Sequence, residues 1–144
     1  MHVAEILRRK GHEVATVAPT DTVEAAVEAL RERSIGALVV TADGKTINGI
    51  LSERDIVRAL GRSTRDLLGR PASDIMTADV FTCSPEDRVE HLMSLMTDKR
   101  IRHLPVEVDG ALKGIVSIGD VVKSRLFELE QEARALEDYI QHGR

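Results

Sequence analysis

The 144-residue sequence predicts an α/β (α+β) fold: two β-α-β-β-α repeats related by a pseudo-twofold axis and packed through their sheets, plus a short N-terminal helix and a long C-terminal helix. Three observations predict it. First, the chain repeats itself at an offset of 66 residues. Pro19 then matches Pro85, Val14 matches Val80, Thr16 matches Thr82, Asp21 matches Asp87, Ile35 matches Ile101, Leu38 matches Leu104, and Asp43-Gly44 matches Asp109-Gly110. A period of this kind defines the structural unit before any single element is read. Second, Gly49-Ile50-Leu51-Ser52-Glu53-Arg54-Asp55 and Gly114-Ile115-Val116-Ser117-Ile118-Gly119-Asp120 share the pattern Gly, two aliphatics, Ser, two variable residues, Asp. These stretches lie 65 apart, so the first copy carries one extra residue between Gly44 and Gly49. Third, a unit of about 60 residues is marginal on its own, so two copies are expected to cover each other's apolar faces.

The elements follow in chain order. Val3, Ile6 and Leu7 share one face of a short helix that ends at Gly11. His12 to Val17 alternates as a strand and is closed by Pro19. Asp21 or Thr22 caps a helix whose apolar stripe is Val23, Ala26, Val27 and Leu30. Ile35 to Thr41 and Ile47 to Leu51 form a hairpin around the Ala42-Asp43-Gly44-Lys45 turn. Asp55 to Leu60 is helical, with Ile56, Val57 and Leu60 expected on its inner side. Gly61 to Ala72 is the joint, with a short helical turn around Leu67-Leu68. The first repeat with its N-terminal helix and linker is therefore drawn as 1–72, and the second with the C-terminal helix as 73–144.

In the second repeat, Val80 to Cys83 reads as a strand and Val89, Leu92, Met93 and Met96 as a helix stripe. Ile101 to Val108 and Leu112 to Val116 form the second hairpin. After Asp120 the helical pattern continues. Val122, Leu126, Leu129, Ala133, Leu136 and Ile140 make a heptad-like seam, suited either to packing on its own domain or to a partner helix.

Composition excludes several functions. Net charge is −4, which offers nucleic acid or acidic lipid no basic field. Phe81, Phe127 and Tyr139 are the only aromatics, too few for a base-stacking platform. The five histidines form no His-Glu-x-x-His or comparable ligand cluster. Cys83, the single cysteine, has no nucleophile signature, and Ser52 and Ser117 lack the second Gly of a nucleophile elbow. No enzymatic activity is therefore expected. Neither a signal-peptide pattern nor a membrane-length apolar run is present, so a cytoplasmic protein is expected.

The paired motifs carry the functional reading. Each places Ser where a strand ends and a helix begins, with Asp in the first helical turn. Ser there is a good N-cap, and the helix dipole favours the carboxylate. One reading is a capping box alone. The other is a pair of equivalent polar corners that meet a ligand.

With Asp74-Ile75-Met76-Thr77, Ile101-Arg102-His103-Leu104-Pro105-Val106 and both Gly-h-h-Ser-x-x-Asp motifs in order, the chain resembles the tandem CBS-domain (Bateman module) family over roughly Glu5 to Arg125. The repeat is named after cystathionine β-synthase, and the likeness is to small stand-alone bacterial members. The resemblance implies a regulatory, signal-transducing module that binds adenosine nucleotides in two clefts between the repeats. AMP and NAD(H) are the first choices, with ATP and S-adenosyl compounds left open. It also implies a homodimer and an unidentified protein target. Carried over residue by residue, Ser117 and Asp120 would face His12, Glu13, Val14, Ile35, Gly36 and Ala37. Ser52 and Asp55 would face Ala78, Asp79, Val80, Ile101, Arg102 and His103.

In that arrangement the carboxylates would accept both ribose hydroxyls. Ile35 with Val14, or Ile101 with Val80, would hold adenine, and Gly36 would allow close backbone approach. Arg54, Arg102 and His103 would meet phosphate, while Glu13 and Asp79 would disfavour a polyphosphate. The competing reading is a protein–protein interaction module whose Ser-x-x-Asp motifs only cap helices.

Overall fold

The computed structural model describes residues 1–143; Arg144, the last residue of the second half as drawn above, lies outside the described residues. Helix α1 (Val3–Lys10) presents Val3, Ile6 and Leu7 to the interior and stops at Gly11, whose φ of 96° suits a residue without a side chain. Strand β1 (Thr16–Val17) runs parallel to β2 (Ala37–Val40), which pairs antiparallel with β3 (Gly49–Ser52). Helix α2 (Val23–Arg33) lies between β1 and β2, and α3 (Glu53–Arg62) follows β3. Of the two candidate caps for α2, Thr22 is the one used: its hydroxyl accepts from Ala25 N–H at 3.1 Å. Two short 3-10 turns, Leu67–Gly69 and Ala72–Asp74, occupy the joint. Then come α4 (Val89–Lys99), the hairpin β4 (His103–Val108) and β5 (Ala111–Ser117), and α5 (Ile118–His142).

The hairpin registers are the same in both halves. Ala37 pairs with Ser52 and Leu38 with Leu51, as His103 pairs with Ser117 and Leu104 with Val116. Each motif Ser is thereby set opposite the first residue of its hairpin. The second hairpin turns at Asp109-Gly110, both with positive φ, the geometry of a type I′ turn. The first, with its extra residue, is organised by Asp43. Its carboxylate accepts from the N–H groups of Lys45 and Thr46 at 2.8 and 2.7 Å, which holds its pKa far below the usual range.

Both leading strands are shorter than their sequence pattern. The alternation from His12 yields only Thr16–Val17, because β2 offers Val39 and Val40 as partners and His12 instead lies against the Lys113 carbonyl of the other half. The expected strand from Val80 contracts to one bridge. Cys83 N–H donates to the Pro105 carbonyl at 3.0 Å, and its carbonyl accepts from Glu107 at 2.9 Å. Cys83 is buried, and burial with the nearby Asp87 charge pushes its thiol up to about 12, as befits a core residue rather than a nucleophile.

The halves interlock through these leading segments. Val3, Ile6 and Leu7 of α1 join the core made by Val89, Leu92, Leu104, Val106 and Val116 of the second repeat. Reciprocally, Ala72, Ile75 and Met76 pack into the core of the first repeat with Leu38, Val40 and Leu51, while Leu67 of the joint packs with Val23 and Ala59. Each fully buried aliphatic contributes about 1.5–3 kcal/mol, so neither half keeps its core without the other's lead-in.

Two helix faces differ from the pattern. On α3, Asp55 and Ala59 are the buried pair, while Val57 is 66% and Leu60 46% exposed. The inward carboxylate sets the helix rotation and turns part of the aliphatic stripe outward. On α5, Val121 and Ser124 face the protein, whereas the seam from Val122 to Ile140 is exposed. Packing of that seam on its own domain does not occur.

Candidate functional site

The two Ser-x-x-Asp corners are built alike. Asp55 Oδ2 accepts from Ser52 N–H at 2.8 Å and from Ser52 Oγ at 3.0 Å, and Asp55 N–H donates back to Ser52 Oγ at 3.3 Å. Asp120 Oδ2 accepts from Ser117 N–H at 2.9 Å, and Asp120 N–H donates to Ser117 Oγ at 3.2 Å. The first helical N–H is also engaged in both. Glu53 donates to the Gly36 carbonyl at 3.0 Å, and Ile118 to the Arg102 carbonyl at 2.8 Å. Strand, hairpin entry and helix start are thus locked together within each repeat.

The other half reaches each carboxylate. Thr77 Oγ1 donates to Asp55 Oδ1 at 2.8 Å. Lys10 Nζ donates to Asp120 Oδ2 at 2.7 Å and to the Ile115 carbonyl at 2.9 Å. Each corner therefore lies on the seam between repeats. Burial raises the Asp120 pKa, but hydrogen bonds from Lys10 and Ser117 and the Lys10 charge outweigh it, leaving the carboxyl below its usual value. A depressed carboxyl contributes stability above its unfolded pKa, here about 3.8, and loses it as pH falls through the lower folded value.

Two open clefts adjoin these corners. The first gathers Gly36, Ser52, Arg54 and Asp55 of the first repeat with Ile101, Arg102 and His103 of the second. The second gathers Glu13, Val14, Ile35, Gly36, Ala37 and Ser117, again with His103. Their cavity volumes are about 200 and 510 Å³; the second falls within the size range of small-molecule sites and the first is a smaller groove. Gly36 and His103 line both clefts, at the divide between them.

Not every expected residue arrives. Ala78, Asp79 and Val80 do not line the first cleft. Thr77 does, because Thr77 and Ile50 exchange both backbone hydrogen bonds at 2.9 Å and the chain then turns away, exposing Ala78 and Asp79. His12 is drawn aside by the Lys113 carbonyl at 3.3 Å and does not line the second cleft. Asp120 sits beneath Lys10 and lines an adjoining depression rather than the cleft itself. The sequence reading missed Arg58, Thr77, Lys99 and Arg100 in the first cleft, and Lys10 and Arg33 in the second. Thr77 was within sight, since it ends the Asp74-Ile75-Met76-Thr77 motif.

His103 is not the cation its sequence suggested. Burial lowers its pKa, and the charges of Arg102 and Lys10 lower it further. A neutral imidazole at pH 7 offers a hydrogen bond at the divide, not a charge. Arg54, by contrast, reaches across to donate to the Arg100 carbonyl at 2.7 Å.

The sequence profile of the CBS domain matches residues 3–62 and again 72–126. The chain belongs to the CBS-domain family. Its two CBS repeats form a tandem pair. A CBS-domain containing protein from Agrobacterium tumefaciens superposes with a TM-score of 0.83 at 42% identity, covering 86% of this chain and 92% of that one. The mitochondrial CBS domain-containing protein CBSX3 of Arabidopsis thaliana is 42% identical over 85% of this chain, and the chain spans 62% of that relative's length.

Two further solved CBS proteins carry ligands. One from Pyrobaculum aerophilum is complexed with AMP, at 27% identity and a TM-score of 0.76, covering 92% of this chain and 99% of that one. A CBS domain pair with 5′-methylthioadenosine and S-adenosyl-L-methionine matches at 27% identity and a TM-score of 0.74, covering 88% of this chain and 99% of that one.

Proposed function

We propose that this CBS pair is a non-catalytic sensor that binds an adenosine nucleotide, AMP or NAD(H), in the clefts between its repeats. One observation carries the reading: each Ser-x-x-Asp corner stands beside an open cleft into which the opposite repeat sends aliphatic and polar side chains. The AMP and S-adenosyl-L-methionine complexes of related CBS pairs support the ligand class. Ribose offers two hydroxyl donors, which a carboxylate accepts in charge-assisted hydrogen bonds. Ile35 and Val14 in the second cleft, and Ile101 and Ile50 in the first, supply apolar surface for a purine. Both motif hydroxyls are tied into caps and the one thiol is buried, which favours binding over turnover. A reducing cytoplasmic setting suits that lone thiol.

A ligand at about 100 times its dissociation constant stabilises a fold by about 2.7 kcal/mol. For a chain of this length that is a rise of about 5–10 °C in Tm. AMP or NAD(H) should produce it in a thermal-shift series, and calorimetry should count the sites. Failure of AMP, NAD(H), ATP and S-adenosylmethionine at millimolar concentration would leave the interaction-module reading. That second reading draws on Asp55, whose oxygens are already bonded within the chain.

The exposed seam on α5 is proposed as a contact between two copies of the chain. A twofold contact buries the same patch from each copy. The full chain is expected to sediment as a dimer at micromolar concentration, and a chain cut after Arg125 to dissociate more readily. A monomeric full chain would overturn this assignment.

A further inference from the structure

The two clefts occupy equivalent places in the repeats but carry opposite charge balances. The first is lined by Arg54, Arg58, Lys99, Arg100 and Arg102 against a single carboxylate, Asp55. Among the described residues none of these five cations stands in an ion pair. Arg54 donates to a backbone carbonyl, and Lys99 lies 5.5 Å from the centroid of the Phe81 ring. The second cleft is lined by two cations, Lys10 and Arg33, and each is matched. Lys10 is paired with Asp120 at 2.7 Å and Arg33 with Glu13 at 3.8 Å. At the divide, Glu53 stands beside Gly36 and His103.

The fold does not require this asymmetry. Under the internal repeat, Arg102 corresponds to Gly36, Arg100 to Ser34 and Arg54 to Gly119. Arg100 and Ser34 close α4 and α2 in the same left-handed conformation, with φ of 54° and 52°. A Ser therefore serves that backbone as well as an Arg does. What Arg adds at these positions is charge directed at one cleft, in a chain whose overall charge is −4. Unpaired guanidinium groups grouped around a cavity bind phosphate oxygens strongly and in bidentate fashion. A cleft whose two cations each face a carboxylate gains less from added phosphates and meets them with Glu13.

We propose that the two clefts select ligands of different charge: the first holds the phosphate chain of an adenosine di- or triphosphate, and the second takes an adenosine compound bearing at most one phosphate. The proposal rests on the adenosine reading above and deepens it by assigning the phosphate number to each site.

The test is calorimetry on the full chain, without magnesium, using AMP, ATP and inorganic tripolyphosphate at low and high salt. Arg58→Ala with Arg100→Ala serves as the variant, since both side chains are exposed and outside the core. In the wild type, one site should bind ATP about tenfold or more tightly than AMP, with the preference shrinking at high salt. Tripolyphosphate should compete for that site. The double variant should lose the ATP preference at that site and leave AMP binding at the second cleft, which neither side chain lines, within about twofold.

Equal affinity for AMP and ATP at every site, unchanged by salt, would overturn the charge assignment and leave adenosine binding standing. So would an ATP preference that survives in the double variant. Tripolyphosphate binding that the double variant abolishes, with no adenosine compound bound, would uphold the anion site and sink the adenosine reading instead. The salt dependence of the wild type keeps the test decisive even if the variant folds poorly.

Discussion

Replacing Gly49 with alanine is expected to destabilise the fold by about 1–3 kcal/mol, the usual range for overpacking a closed site. A methyl group on Gly49 would stand 2.5 Å from Met76 Sδ and 2.9 Å from the Thr77 carbonyl oxygen. The sulfur can swing aside, but the carbonyl cannot, because it accepts from Ile50 N–H at 2.9 Å in the bridge that ties the lead-in of the second repeat to β3. Gly114 is the equivalent position, and there the nearest atom is Leu7 Cδ2 at 2.8 Å, the end of a buried side chain that can shift its rotamer where a hydrogen-bonded carbonyl cannot. Gly114→Ala should therefore cost less. Gly61 lies inside α3 with open space around it, so Gly61→Ala should stabilise by about 0.5–1 kcal/mol through helix propensity. Urea unfolding should give the order Gly61→Ala, wild type, Gly114→Ala, Gly49→Ala from most to least stable. The Gly49 variant should melt roughly 2–12 °C below wild type. A Gly49→Ala protein as stable as the wild type would refute the close contact between repeats that this ordering assumes.

That contact marks the boundary of what the sequence makes legible. The hairpins are local, and their partners follow within a few residues, so the pairing of Leu38 with Leu51 and of Leu104 with Val116 could be read from the pattern. The internal repeat made the two Ser-x-x-Asp corners legible together. His12 to Ala15 and Val80 to Thr82 failed as strands because strand length depends on a partner that periodicity does not reveal. The exchange of lead-ins, with Leu7 against Gly114 and Met76 against Gly49, is a tertiary fact with no local signature.

The same holds for the site. Glu13, Val14, Ile35, Gly36, Ile101 and Arg102 line the clefts, and it was the family resemblance, not periodicity, that pointed to them. Lys10 and Thr77 reach their carboxylates only because α1 and the segment before Cys83 cross to the opposite half. Val57 and Leu60 misled for a related reason. An aliphatic stripe on a short helix suggests an inner face, but a buried capping carboxylate took that face instead.

Asp55 and Asp120 provide the largest expected change in ligand affinity. If each accepts the two ribose hydroxyls of a bound adenosine, alanine at that position removes hydrogen bonds to a charged group. These contribute about 1.5–3 kcal/mol each, so affinity at the matching cleft should fall about tenfold to a hundredfold or more. The apo proteins should not respond alike. Asp55 is buried and accepts from Ser52 N–H, Ser52 Oγ and Thr77 Oγ1, so its removal strands three donors and should cost about 1–3 kcal/mol of stability. Asp120 is more accessible, and the Lys10 ammonium it would leave behind can turn to solvent. Its loss should cost about 1 kcal/mol or less. Asp55→Asn keeps an acceptor for the cap while removing the charge, and separates the two effects: affinity should drop with little change in Tm. Calorimetry on Asp55→Asn, Asp55→Ala and Asp120→Ala, each well below its melting temperature, measures both quantities in the same samples. Wild-type affinity in all three would reduce the paired corners to helix caps.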